Sequence, residues 1–343
     1  MSDTRVEAAL AVASVVGLVE AEVARDPAEA FTFDDGGRAV LRAAGQEFFA
    51  GRFGVVAVGE LRRRVLVRGR RGLRGRVRLD VAEGTGPATD VGLLQSTTDD
   101  AVFQVASQFN CLEAPSPTVV PVAAYADDPT QGPRAALSAF PGALLRHYAA
   151  PDDEGGRFVQ VRDGRQLELL GPVCQGRSVR VRNGYLSLDD VTDPRGFAAH
   201  LAQCEDEIRV GLHEDVEVVG GRAGHRATQV LCSTLALGSY SRSSWVGAEE
   251  LCAPLLRAAY RGTLLAALAL GRRRCVLTLV GGGVFGNPRQ VIWDAIGVAL
   301  DEAAAVAPQD LSVVVNARSL VSDGERSVVE GLVGRHEGSL VRV

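Results

Sequence analysis

Apolar and polar positions follow two periods along this chain, and they are clearest in its second half. Val276 to Val280 is a continuous apolar run that predicts a strand. It enters the turn Gly281-Gly282-Gly283-Val284-Phe285-Gly286-Asn287, and a helix-spaced run from Gln290 to Ala304 leaves it. Upstream, Val210 to Val219 and Ala227 to Leu237 read as strands, Phe197 to Arg209 as an amphipathic helix and Trp245 to Ala269 as a long helix. Downstream, Leu311 to Asn316 reads as a strand, Gly324 to Arg335 as a helix and Ser339 to Val343 as an edge strand. Alternating strands and helices of this kind predict a largely parallel sheet covered on both faces, whose ligands lie beyond the carboxyl ends of its strands.

The first half is less regular. Residues 4 to about 50 carry Ala, Val and Leu at helical spacing, broken at Asp26-Pro27 and at Asp34-Asp35-Gly36-Gly37, and predict two or three helices. Gly59 to Arg68 is helix-spaced, Gly75 to Val81 alternates, and Asp90 to Gln95 reads as a short strand. Ala101 to Asn110 continues as strand or helix. Prolines at 115, 117, 121, 129 and 133 make the following segment a shaped loop, after which Gly132-Pro133 opens a helix reaching Tyr148. From Gly156 to Leu188 turn signals at Arg162-Asp163-Gly164 and Arg182-Asn183-Gly184-Tyr185 predict β-hairpins.

Composition narrows the class. With 343 residues, 46% hydrophobic and 23% charged, the chain can bury a large core. A net charge of −5 argues against general nucleic-acid binding. All 37 basic residues are arginine, which removes P-loop and Schiff-base lysine chemistry. Nine of them fall between Arg62 and Arg78; a solvated face is the default reading, and a patch for an acidic partner the alternative. The six cysteines show no zinc-type spacing and read as reduced core residues, and no basic n-region precedes the apolar run Ala8 to Val19, which is too short to span a bilayer. The expectation is a cytoplasmic protein without metal or cofactor and without a membrane partner. His213, within Gly211-Leu212-His213-Glu214-Asp215, is read as a strand histidine with local hydrogen bonds.

The glycine turn carries the first chemical signal. Its glycines permit positive φ and let a ligand approach the backbone, and its N–H groups with the next helix terminus suit a phosphate. No lysine follows, and the spacing is not GxGxxG, so nucleoside-triphosphate and dinucleotide fingerprints are excluded. A tight connection without a ligand is the plain alternative.

Three segments together carry a family resemblance: Phe103-Gln104-Val105-Ala106-Ser107-Gln108-Phe109-Asn110 with Leu112-Glu113, then Asp128 with Thr130-Gln131-Gly132-Pro133, then Gly281 to Asn287. Over residues 75 to 320 the chain resembles macrodomain-like proteins, in particular divergent ones that include bacterial effectors removing ADP-ribose from arginine. The resemblance implies a three-layer α/β/α mixed sheet at 75–343, to which the helical spacing and the turn signals above add a helical extension at 1–74 and a β-rich insertion near 150–190. It also implies binding of ADP-ribose or an ADP-ribosylated protein, and hydrolysis of the ADP-ribosyl bond. Departures are visible: the first loop keeps only Gly132 of a glycine run, and Gln108 and Asn110 compete for the asparagine of ordinary macrodomain hydrolases.

By that resemblance Asp90 and Val91 hold the adenine, Phe285 offers aromatic surface to the base, and Gln131, Gly132, Gly281, Gly282, Gly283, Val284 and Gly286 of the two loops surround the diphosphate. Gln104, Gln108, Asn110 and Asn287 are nominated for the distal ribose. Cleavage at its C1″ passes through an oxocarbenium-like state that favours nearby negative charge and an oriented water. Asp128 and Glu113 are the catalytic candidates, one activating water or one protonating the leaving group. Asp128 as a turn cap and Glu113 as a loop carboxylate are the plain alternatives. A non-catalytic reader and a degenerate scaffold are the other function classes.

Overall fold

The computed structural model describes residues 3–343 other than 70, 71, 73, 129, 162, 163, 223 and 321, with side chains from residue 12 onward except that of Pro87. Arg70 and Arg71 of the arginine-rich segment between Arg62 and Arg78, and Pro129, Arg162 and Asp163, lie outside the described residues.

The described residues form twelve strands: β1 Phe31–Phe33, β2 Ala39–Ala43, β3 Gln46–Ala57, β4 Val77–Glu83, β5 Ala101–Ala106, β6 Ala150–Pro151, β7 Arg157–Phe158, β8 Arg209–Glu217, β9 Arg226–Cys232, β10 Arg274–Thr278, β11 Leu311–Arg318 and β12 Ser339–Arg342. Ten form one mixed sheet in the order β1-β2-β3-β8-β9-β5-β10-β11-β4-β12. From β9 to β12 every pairing is parallel, whereas β1, β2, β3, β8 and β9 pair antiparallel.

Side-chain alternation across the paired strands β5 and β9 proves the two-sided cover. Gln104 of β5 reaches Thr263 on the helix Ala248–Ala269, whereas Gln229 of β9, adjacent to Val230 that pairs with Gln104, reaches Gln95 and Ala135. One helical layer therefore contains Ala248–Ala269, packed with Val58–Gly69, Pro194–Gln203 and Arg289–Val306. The other contains Val91–Thr97, Gln131–Ser138, Phe140–Tyr148 and the N-terminal helix Asp3–Arg25. Buried on both faces, β5, β9 and β10 are the apolar runs that such strands require. No helix among the described residues is long and apolar enough to cross a membrane.

Four sequence expectations are corrected. Residues 1–74 are not a helical extension: after one long helix they supply β1, β2 and β3, and β3 pairs with β8 along Arg52 to Ala57. Their Ala- and Val-rich spacing suits either period, and the open edge of β8 decides for strand. Asp90–Gln95 is not a strand, because Asp90 caps the helix Val91–Thr97 by accepting the Leu93 N–H at 3.2 Å. The helix expected over Arg134–Tyr148 breaks at Ala139, where Pro141 in the next first turn has no N–H to continue the ladder. The 150–190 segment is mostly irregular, holding the two-residue pair β6–β7, a short helix Gly171–Cys174 and isolated bridges.

Candidate functional site

Parallel strands β4, β5, β10 and β11 end at one edge of the sheet, and a cleft of about 460 Å³ opens there. Its walls include Gln108, Glu113, Asp128, Thr130, Gln131 and Gly132 from one side and Gly281 to Phe285 from the other. The two loops that the sequence separates by about 150 residues thus face one space.

Glu113 is the most unusual group in it. The chain after β5 reverses in a tight turn, closed by the Cys111 N–H to Gln108 O at 2.9 Å and the Gln108 N–H to Leu112 O at 3.0 Å, with Cys111 at φ +61°. This folds Glu113 inward until the residue is 5% exposed, with Oε1 lacking a hydrogen-bond partner among the described residues. Burial pushes its carboxyl well above the ordinary value of 4.5; buried Arg146 opposes the shift and Asp128 adds to it. Burial thus favours the protonated form of Glu113 over the ionised one. In two further cleft-lining residues, Thr278 Oγ1 and Asn316 Oδ1 are also buried without a partner among the described residues.

A polar network fixes this acid from behind. The Glu113 N–H donates to Tyr125 Oη at 2.8 Å, and Tyr125 Oη lies 2.7 Å from His147 Nε2. Because the phenol oxygen already accepts from Glu113, its proton is directed to His147, whose ring stays neutral: burial, then Arg146, lowers it to about 3. Arg146 donates to Cys111 O at 2.9 Å and to His213 Nδ1 at 2.8 Å, and His213 Nε2 donates to Ala50 O at 2.7 Å. His213 is thus a strand histidine as expected, but its hydrogen-bond partners lie 67 and 163 residues away rather than locally. No cluster of His, Cys, Asp and Glu suited to a metal ion occurs among the described residues.

Asp128 follows the 3₁₀ turn Val122–Asp127, its N–H bonded to Tyr125 O at 3.2 Å and its Oδ1 accepting the Thr130 N–H at 2.8 Å. It is half-buried, so the turn-cap role and a place in the cleft wall coexist. Tyr185, Tyr240 and Phe285 form an aromatic wall beside the two carboxyls, with ring centroids 5.3 to 5.6 Å apart. Tyr185 and Tyr240 donate to Ala114 O at 2.6 Å and Pro115 O at 3.2 Å, tying the wall to the Glu113 segment.

The glycine loop leaves donors free. Gly282, Gly286 and Asn287 spend their N–H groups on Leu279 O, Gly283 O and Gly281 O, but those of Gly281, Gly283, Val284 and Phe285 meet no protein acceptor among the described residues. Gly281 at φ +75° is required where it stands, since a β-carbon would lie 2.5 Å from Thr234 Cγ2. Arg289, at the start of the next helix, and Arg318 also line the cleft, and Arg318 makes no ion pair among the described residues.

Several nominated residues are not in the cleft. Asp90 pairs with Arg134 at 2.6 Å and caps its own helix, while the Val91 N–H donates to Gln131 Oε1 at 2.8 Å; neither lines the space. Gln104 is buried in β5, accepting the Thr278 N–H and donating to Thr263. Asn110 bonds the Leu112 N–H and Gln166. Asn287 accepts from Thr234 Oγ1 and donates to Leu235 O, so it braces the glycine loop, and Gly286 turns it at φ +65° outside the lining. Gln108 does line the cleft, but its amide is spent on the N–H and carbonyl of Ala114. In each case a backbone group must be satisfied before a ligand can be. Tyr185, Tyr240, Thr278, Asn316, Arg289 and Arg318 line the cleft without a motif to mark them: they stand singly in sequence, and their signal is limited to the turn before Tyr185 and the strand ends at Thr278 and Asn316.

No protein-family model matches the chain, and no curated protein matches it. Among solved structures it is similar to a poly(ADP-ribose) glycohydrolase from Thermomonospora curvata, at 17% identity over 96% of this chain and 99% of that one, with a TM-score of 0.47. The same protein bound to the inhibitor ADP-HPD scores 0.44 at 17% identity, with the same coverage. A poly(ADP-ribose) glycohydrolase from Deinococcus radiodurans in complex with ADP-ribose scores 0.43 at 14% identity, over 83% of this chain and 93% of that one. Scores and identities this low leave the reading of the cleft to its own geometry.

Proposed function

We propose that the cleft binds ADP-ribose and that the protein hydrolyses the bond joining its distal ribose to a modified side chain, arginine being the first choice. The observation that carries this reading is the buried, unpartnered Glu113 carboxyl set in the wall between two loops that share one cleft. The cleft volume of about 460 Å³ lies within the range of small-ligand sites. Free N–H groups of the glycine loop and the charge of Arg318 suit a diphosphate, and the Tyr185–Tyr240–Phe285 wall offers π faces to a base or sugar.

Two carboxyls in different settings divide the chemistry. Protonated Glu113 donates to the departing atom at C1″, and Asp128 supplies negative charge to the oxocarbenium-like carbon and takes a proton from the attacking water. The six free thiols suit a reducing compartment, so the modified protein is sought in the cytoplasm. The arginine linkage rests on the sequence resemblance.

Calorimetry with ADP-ribose and release assays on peptides ADP-ribosylated at arginine, serine or glutamate, with poly(ADP-ribose) as a further arm, test the proposal. Heat of binding with release from the arginine substrate is expected. Binding without release from any substrate makes the protein a reader, and no heat at millimolar ligand leaves only a scaffold.

A further inference from the structure

The N-terminal helix Asp3–Arg25 carries a buried carboxylate that the reading above leaves unused. Glu20 is 4% exposed and lies against the segment just before Asp128. Its Oε1 accepts the Val122 N–H at 2.8 Å and the Tyr148 hydroxyl at 2.9 Å, and its Oε2 accepts the Ala123 N–H at 2.9 Å. Val122 and Ala123 open the 3₁₀ turn Val122–Asp127, whose own preceding residue, Pro121, provides no side-chain cap. Glu20 therefore does, from 102 residues away in the same chain, what a local Asp or Ser does at an ordinary helix start.

That one turn sets both carboxyls of the cleft. Asp128 follows directly from it, and Tyr125 inside it receives the Glu113 N–H. We propose that Glu20 is a positioning residue of the cleft, so that the N-terminal helix is part of the catalytic apparatus. The catalytic half of this statement rests on the hydrolase reading; the mechanical half does not. Displacing a reacting group by about 1 Å typically lowers a rate by about 10²-fold, so a loosened turn should act on turnover more than on affinity.

The test uses the full chain with Glu20→Ala, Glu20→Gln and, as a control on the exposed face of the same helix, Leu18→Ser. In Glu20→Ala, kcat for ADP-ribose release should fall by about 10- to 100-fold while the Kd for ADP-ribose moves by less than about threefold. Glu20→Gln, which keeps one acceptor oxygen, should recover part of kcat, and Leu18→Ser should match the parent. Hydrogen exchange at the Val122 and Ala123 amides should accelerate at least about tenfold in Glu20→Ala, with β5 and β10 unchanged. Parental kcat in Glu20→Ala overturns the proposal, as do unchanged exchange at those amides or kcat and affinity falling together without rescue by glutamine. If the parent protein releases no ADP-ribose, the hydrolase reading fails instead, and exchange at Val122 and Ala123 still decides whether Glu20 holds the turn.

Discussion

Gly132 packs directly against the carboxyl of Glu113: a β-carbon on Gly132 would stand 2.5 Å from Glu113 Oε2 and 2.5 Å from Ala106 O. The glycine that survives in the first loop is thus the residue that lets the loop close over the buried acid. Gly132→Ala must push either the carboxyl or the loop aside, and overpacking of this kind costs about 1–3 kcal/mol. Release of ADP-ribose should fall by about 10²-fold, measured as kcat at saturating substrate. Unimpaired kcat would show that the loop and Glu113 are not held in this register.

Glu113→Gln should bind ADP-ribose as the parent does and lose about 10²–10⁴-fold in kcat, the usual share of a general acid. Because burial raises the folded-state value above 4.5, the parent's release rate should fall on the alkaline side as Glu113 ionises.

The same shift has a stability consequence. The folded chain holds a proton that the unfolded chain releases near pH 4.5, so the contribution of Glu113 is complete below that value and is lost as pH rises toward the raised one. Urea unfolding should show Glu113→Gln gaining on the parent from pH 5 to pH 8. A constant difference would mean that Glu113 is ionised in the fold.

His147 and His213 act in the opposite direction. Burial and Arg146 lower both, His147 to about 3, so the folded protein keeps them neutral while the unfolded chain takes up protons below 6.5. Stability should therefore decline as pH falls below 6.5, by about 1 kcal/mol per unit for each histidine. His147→Phe should flatten that decline, and an unchanged slope in urea titrations would contradict the neutral assignment.

Two glycines of the second loop separate packing from ligand space. Gly281→Ala meets Thr234 Cγ2 at 2.5 Å and forces a β-carbon onto φ +75°, so it should lower the melting temperature. A β-carbon on Gly283 meets nothing within 4 Å, so Gly283→Ala should melt as the parent does. Its added methyl should nevertheless weaken ADP-ribose by about tenfold in calorimetry if the diphosphate lies against this backbone. Equal affinity would move the diphosphate elsewhere.

Periodicity and turn chemistry are short-range properties, and they carried the second half of the chain. The strand at Val276, the helix after Asn287, the late strand at Leu311 and the parallel order they imply could all be read from neighbours a few residues apart. So could the two loops and the identity of Glu113 and Asp128 as loop carboxyls. Tertiary structure alone decided which polar groups are spent. Gln104 answers Thr278 across 174 residues, Asn287 answers Leu235 across 52 and Glu20 answers Val122 across 102. A buried N–H or carbonyl takes whichever partner the fold brings to it, and no local pattern records that partner. For the same reason residues 31–57 became sheet edge rather than part of a helical appendage: an apolar run commits to strand when an unpaired strand stands open beside it, and β8 did.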